Sequence, residues 1–134
     1  MLGRFLERLR RRQTAPLSDA PPVRRQKTWS AQSGYVYQYV YEGRRKRAGD
    51  TEYLFQVTWD RKTPLAVRVV LPDDVIREWE SAHEVGLRPN ERHGIAKMAL
   101  LQAFDERADP AHMRAAVLVR RADLEAIVET LGIV

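Results

Sequence analysis

Three stretches of this 134-residue chain alternate their side chains with a period of two, and this pattern constrains the fold more than any other feature. Residues 35–41 place four tyrosines on one face of an extended chain. Residues 53–59 place three aromatic residues and a valine on one face, and residues 65–71 place two leucines and two valines. Such alternation is typical of strands that bury one face of a sheet. Because short links join the three strands, we predict an antiparallel meander.

The alternation also predicts which face of the sheet is buried. The rows of Tyr, Phe, Trp, Val and Leu are the more apolar ones. The opposite face carries Gln38, Gln56, Thr58 and Arg68 and is expected to meet water or a partner. Exposed aromatic rows also stack nucleobases, but here the tyrosine row matches the apolar faces of two neighbouring strands. Packing under helices is therefore the favoured interpretation of that row.

Helical periodicity replaces strand periodicity after Pro72, which ends the third strand. We predict helices over residues 74–84, 89–104 and 122–131, each with an apolar stripe. Residues 115–119 suit either a short strand at the sheet edge or the beginning of a helix, because periodicity does not separate the two.

These elements predict an α+β fold with a three- or four-stranded, mainly antiparallel meander sheet, packed on one face by two to three helices. Residues 34–134 would form this single domain.

Residues 1–33 are predicted to form a basic N-terminal arm, with an amphipathic helix over residues 2–12 and then a proline-containing linker. Eleven residues form a marginal helix in water, so this helix needs a surface to hold it. A groove on a partner protein or the chain's own domain is favoured over a membrane, through the apolar residues Leu2, Phe5, Leu6 and Leu9.

Composition excludes several classes of site. Without cysteine the chain forms no disulfide, thiolate zinc site or iron–sulfur cluster, and it has no thiol nucleophile. The longest apolar runs are about five residues, far below the roughly 20 that span a membrane, and with no secretory signal pattern a cytoplasmic location is expected. Glu80, His83 and Glu84 have a spacing that suits a metal, but a surface charge cluster is favoured because no second set matches it. No catalytic motif is found, so we predict a non-enzymatic protein without a cofactor.

Charge is distributed unevenly along the chain. Residues 1–47 carry 12 basic and three acidic side chains, a net charge of +9, whereas the remainder carries a net charge of −4. Between Gly43 and Gly49, four consecutive cations are predicted to occupy a flexible hairpin loop, where they favour contact with a polyanion. The alternatives are a solvated loop that protects a strand edge and an arm that folds back onto its own acidic body.

Residues 66–107 resemble the ribbon-helix-helix repressors. The resemblance is carried by a strand ending in Leu71-Pro72, an acidic helix start at Asp73-Asp74, and the turn at Gly86-Leu87 before a second amphipathic helix. That family pairs strands between two copies and reads the major groove of DNA with the paired ribbon. The resemblance implies that Arg68 is a base-reading side chain.

We therefore predict a small binding protein that contacts the phosphate backbone of DNA or RNA. The alternative is an adaptor that docks on a protein partner, or on a second copy of itself, through the N-terminal amphipathic helix. The candidate nucleic-acid-binding residues are Arg10, Arg11, Arg12, Arg24, Arg25, Lys27, Arg44, Arg45, Lys46, Arg47 and Arg68.

Overall fold

The computed structural model describes residues 16–133, which fold into one sheet with helices and thus confirm the α+β class. The sheet has five strands in the order β1-β2-β3-β4-β5 rather than the predicted three or four. The first four are antiparallel neighbours, and β5 pairs with β4 in parallel. The strands are β1 Lys27–Ser30, β2 Val36–Arg47, β3 Asp50–Thr58, β4 Leu65–Pro72 and β5 Val117–Leu118.

Both additional strands are short and lie at the edges of the sheet. Strand β1 falls within residues 13–33, so the expectation of a linker is wrong for those four residues, which pair with β2. Trp29 fixes β1 over the helices, because its indole Nε1 donates a hydrogen bond to Asp105 at 3.0 Å. At residues 115–119 the structure decides between the two open alternatives in favour of a strand.

Strand β2 is longer than its sequence pattern predicts and runs through the four cations of residues 44–47. The connection to β3 is only the pair Ala48-Gly49, whose φ angles of 48° and 83° suit the tight turns that match strand twist. The prediction of a flexible loop over residues 43–49 is therefore wrong. The cations belong to a paired strand, and each one has a fixed face.

A β-bulge in β2 decides those faces. Tyr41 lies opposite Phe55 and Gly43 lies opposite Leu54, so Glu42 is an extra residue without a partner across the ladder. One extra residue inverts the alternation of everything that follows. Beyond the bulge, Arg44 lies opposite the buried Tyr53 and thus on the helix side, whereas Arg45 lies opposite Glu52 on the other side.

Gly43 makes room at this bulge for the preceding chain. Ser18 and Arg44 exchange two backbone hydrogen bonds of 2.8 and 2.9 Å, which bring the chain before β1 against the edge of β2. A Cβ on Gly43 would lie 2.8 Å from the Ser18 carbonyl oxygen and 3.0 Å from the Cβ of Leu17, and the φ of Gly43 is 137°. Only glycine satisfies both the close approach and this backbone conformation.

Within residues 16–133, three helices and one short 3-10 helix cover the aromatic face of the sheet. The helices are α1 Asp73–His83, α2 Pro89–Glu106 and α3 Arg121–Leu131, and the 3-10 helix is Pro110–Arg114. The tyrosine row lies mainly in the core, as predicted. Tyr37 is fully buried and stacks on Phe104 with ring centroids 4.1 Å apart.

Some sequence predictions fall outside the described residues. These are the helix over residues 2–12, its apolar residues Leu2, Phe5, Leu6 and Leu9, and the cations Arg10, Arg11 and Arg12. Within residues 16–133, none of the helices combines the length and the apolar character needed to cross a membrane.

Replacing glycine by alanine is expected to have opposite effects at two positions. Gly43→Ala should lower the free energy of unfolding by about 2 kcal/mol, because the new Cβ meets backbone atoms and the φ angle is positive. Gly94→Ala is the matched control. In α2 its Cβ would make an ordinary 3.7 Å contact with Leu131, so stability should rise by about 0.5–1 kcal/mol. Urea unfolding measures both, and equal effects at the two sites would contradict the account of the bulge.

Candidate functional site

Three arginines on the outer face of the sheet converge on one glutamate. Glu52 is 3% exposed and accepts from Arg45 Nε at 2.8 Å and from Arg68 Nη1 at 3.0 Å. Arg47 Nη1 lies 3.9 Å from the same carboxylate. We call Glu52 with Arg45, Arg47 and Arg68 the outer ion cluster. Arg45 is itself 9% exposed, so this part of the predicted cationic loop is an internal ion pair.

Lys46, the remaining cation of this group with an ion pair, pairs on the helix side of the sheet. Lys46 Nζ lies 2.7 Å from Asp73 Oδ1 at the beginning of α1. Arg45, Lys46 and Arg47 are therefore paired within the protein, because the tight turn brings the acidic residues of β3 and α1 beside them. Arg44 differs, because it points to the helix side, where no carboxylate lies opposite it across the ladder.

Arg44 lines a cavity of about 490 Å³ between β2, β3 and the beginning of α2. We call it the arginine cavity. Arg92 enters it from α2, and its Nη2 lies 3.5 Å from a carboxylate oxygen of Glu80. The Nε of Arg92 is buried with no hydrogen-bond partner in the part of the chain that the structure describes. The described lining is Ser18, Arg44, Arg45, Lys46, Thr51, Tyr53, Leu87, Pro89 and Arg92, which includes no carboxylate.

A second cavity of about 320 Å³ adjoins the first and is more apolar. We call it the aromatic pocket. Its described lining comprises an aromatic floor, an apolar wall and basic residues at its rim, again without a carboxylate. These residues are Tyr39, Tyr41 and Phe55 in the floor, Pro21, Pro22 and Val23 in the wall, and Arg25, Lys27, His93 and Lys97 around them.

The two cavities share a wall at the first turns of α2. The His93 ring packs against Tyr41 of the aromatic pocket and Tyr53 of the arginine cavity, with ring centroids 4.4 and 6.2 Å apart. One carboxylate stands beside this wall, since Asp19 accepts a hydrogen bond from the Tyr41 hydroxyl at 3.3 Å. Burial lowers the pKa of His93, so its imidazole is neutral at physiological pH.

Two lysines at the rim of the aromatic pocket repel each other. Lys27 comes from β1 and Lys97 from α2. The Lys27 ammonium, within hydrogen-bonding range, lowers the pKa of Lys97 to about 8, and burial contributes to the same effect. An anion between the two ammonium groups would relieve this repulsion. Burial also raises the pKa of Tyr39 and Tyr41, which therefore stay protonated throughout the physiological range.

Side chains of residues 24–27, just before and at the start of β1, point alternately to the two faces of the sheet. Arg25 and Lys27 line the aromatic pocket on the helix side. Arg24 and Gln26 line a separate depression on the outer face, where Arg24 pairs with Glu42 and donates to Gln56 at 2.6 Å. Two adjacent arginines that look equivalent in the sequence thus belong to opposite surfaces.

The structure therefore divides the candidate residues into two groups. It brings together Arg25, Lys27, Arg44 and Lys46 on the helix side. It places Arg24, Arg47 and Arg68 on the outer face, each beside a glutamate. Arg45 pairs with Glu52 there and also contributes to the lining of the arginine cavity. Sequence reasoning missed Arg92, His93 and Lys97. The spacing of His93 and Lys97, one helical turn apart, was the available signal, but it does not reveal what the helix faces.

Glu80 and His83, whose spacing in the sequence suits a metal ion, make structural contacts. Glu80 accepts from the backbone N–H of Leu87 at 2.7 Å, and His83 stacks on Trp79 with ring centroids 4.3 Å apart. Between residues 16 and 133, no group of three or more His, Asp or Glu side chains is arranged to hold a metal ion.

Strand β4, which carries the ribbon-helix-helix resemblance, is flanked by β3 on one side and β5 on the other. Both of its edges are therefore occupied where β5 pairs, at Val69 and Val70. Arg68 is directed to Glu52. Base reading by Arg68 stays a prediction from the resemblance.

The chain matches none of the protein-family models, curated proteins or solved structures with which we compared it. A function must therefore be argued from this chain's own residues.

Glu52→Gln tests the outer ion cluster. Removing the carboxylate charge takes away the anion that Arg45, Arg47 and Arg68 share, so the free energy of unfolding should fall by about 3 kcal/mol. Glu125→Gln, on the exposed surface of α3, is the control and should change stability by less than about 0.5 kcal/mol. Equal stability of the two variants in urea unfolding would show that the cluster contributes nothing specific.

Proposed function

We propose that this protein binds nucleic acid through the phosphate backbone, using the helix-side cations of β1, β2 and α2. One observation carries the proposal. Two adjoining cavities are lined by basic side chains, and their described lining includes no carboxylate. We call these cations, Arg25, Lys27, Arg44, Arg92 and Lys97, the helix-side cations.

A polyanion suits these side chains better than a single acidic group does. They line two neighbouring cavities, and about half to two-thirds of protein–DNA hydrogen bonds go to phosphate and sugar, with Arg and Lys among the donors. Each phosphate contact releases condensed counterions, which supplies affinity without reading sequence. The repulsion between Lys27 and Lys97 supports the proposal, because an anion stabilises their charged forms.

The outer ion cluster is not part of the proposed surface. Arg45, Arg47 and Arg68 already interact with Glu52, so their transfer to phosphate would exchange one anion for another. Arg10, Arg11 and Arg12 lie outside the described residues and remain in the proposal as a predicted additional contact from the N-terminal arm.

Charge-removing variants test the proposed surface. Arg44→Gln and Lys97→Gln, alone and together, should weaken binding to a fluorescently labelled oligonucleotide, and each should reduce the slope of log affinity against log salt by about one. Arg61→Gln and Lys62→Gln are the matched controls, since both residues line the depression on the outer face. Fluorescence anisotropy between about 50 and 200 mM salt measures these effects.

Two results would end the proposal. One is the absence of binding at the lowest salt concentration. The other is an equal loss of affinity in the helix-side and outer-face variants, which would indicate a response to net charge alone.

Affinity should also depend on pH through Lys97. Its pKa of about 8 means that the ammonium is charged below this pH and is lost as pH rises through it, so affinity should fall over that interval. Bound phosphate favours the charged form and shifts the fall to higher pH. His93 has a lowered pKa, and Tyr39 and Tyr41 have raised pKa values, so none of these three neighbours changes its charge over the interval in which Lys97 titrates. In anisotropy titrations, Lys97→Gln should remove the step, and its persistence in that variant would assign it to another group.

A further inference from the structure

The aromatic pocket differs from the arginine cavity in having a rigid aromatic floor. Tyr39 and Phe55 are 5% and 2% exposed and pack edge to face with ring centroids 6.4 Å apart. Tyr41 contacts Phe55 at 5.4 Å between centroids. Because these rings are held by the core, a ligand that covers them meets a surface that is already ordered.

The chain before β1 adds an apolar part to the lining, which we call the proline wall. Pro21, Pro22 and Val23 run past the floor as the chain approaches β1. The two prolines have no backbone N–H to offer. The space between floor and wall is about 320 Å³, at the lower end of the roughly 300–1,000 Å³ found for ligand cavities. It suits one small planar group rather than an extended chain.

Charge surrounds this apolar space. Arg25 and Lys27 approach from the β1 side, and Lys97 approaches from α2. A ligand that satisfies both features must combine a flat, weakly polar ring with an anionic group close to it. A base attached to its phosphate has this combination, and the arginine cavity next to the pocket offers cations for the following phosphate.

We propose that the aromatic pocket receives one nucleotide unit, with its base between the aromatic floor and the proline wall and its phosphate at Arg25, Lys27 and Lys97. This inference rests on the proposed nucleic-acid binding and specifies its form. A base inside a duplex is covered on both faces by its neighbours, whereas a base in a single strand is free to enter a pocket. The protein is therefore selective for single strands.

The same chemistry is available from a free mononucleotide, so the experiment compares the two sources. The isotopically labelled full chain is titrated with adenosine 5′-monophosphate and, separately, with inorganic phosphate, and binding is followed by NMR. We expect nuclear Overhauser effects between base protons and the rings of Tyr41 or His93. We also expect phosphate alone to bind at least about tenfold more weakly, because it lacks the stacking contribution of the base.

A parallel anisotropy experiment compares a short single-stranded oligonucleotide with the duplex of the same sequence at one salt concentration. Single strands should bind at least about tenfold more tightly than the duplex. Lys97→Met, which keeps the aliphatic stem and removes the charge, should weaken binding of both the mononucleotide and the single strand. Lys62→Met on the outer face should leave both unchanged.

Each outcome decides something. Duplex and single strand binding equally, or base protons without contacts to the pocket, overturns the inference and leaves the proposed phosphate binding intact. Binding of the mononucleotide in the pocket without binding of either oligonucleotide overturns the proposed function and identifies a free-nucleotide site. Absence of all binding at low salt overturns both. Because the nuclear Overhauser measurement uses the unmodified chain, the test stands even if Lys97→Met fails to fold.

Discussion

The β-bulge at Glu42 determines on which face of the sheet each of the four cations of residues 44–47 lies. By adding one residue to β2, it inverts the alternation of the strand and sends Arg44 and Lys46 to the helix side and Arg45 and Arg47 to the outer face. Gly43 makes this geometry compatible with the chain that runs along the edge of β2, since any Cβ there would meet Ser18. The bulge therefore separates cations that the sequence places side by side.

The cations on the two faces of the sheet differ in how they are paired with carboxylates. On the outer face, Glu52 is buried and interacts with three arginines. These charges therefore stabilise one another within the protein. On the helix side, Lys46 pairs with Asp73 and Arg92 with Glu80, but Lys27 and Lys97 line the same pocket, whose described lining includes no carboxylate. The two lysines gain from an incoming anion, so the proposed interface lies on the helix side.

The aromatic residues have two roles within the same row. Tyr37 lies wholly in the core against Phe104, whereas Tyr39 and Tyr41 continue the row to the point where the helices no longer cover the sheet completely. Core packing thus gives the aromatic pocket a floor that needs no reorganisation. Lys27 of β1 and Lys97 from the middle of α2 add cations to the lining of the pocket.

The sequence by itself determined the α+β class, the three long strands, the three helices and the buried side of the sheet, because alternation and helical periodicity are local properties that burial of one face requires. It also marked Arg25, Lys27 and Arg44 as candidates. It did not reveal strand β1, the bulge, or the roles of Arg92 and Lys97, since these depend on which segments come together in space. Pairing between Arg45 and Glu52, seven residues apart, required the register of two strands. The tertiary structure alone decided which cations are neutralised, because a carboxylate acts over a few ångströms and not over a distance in sequence.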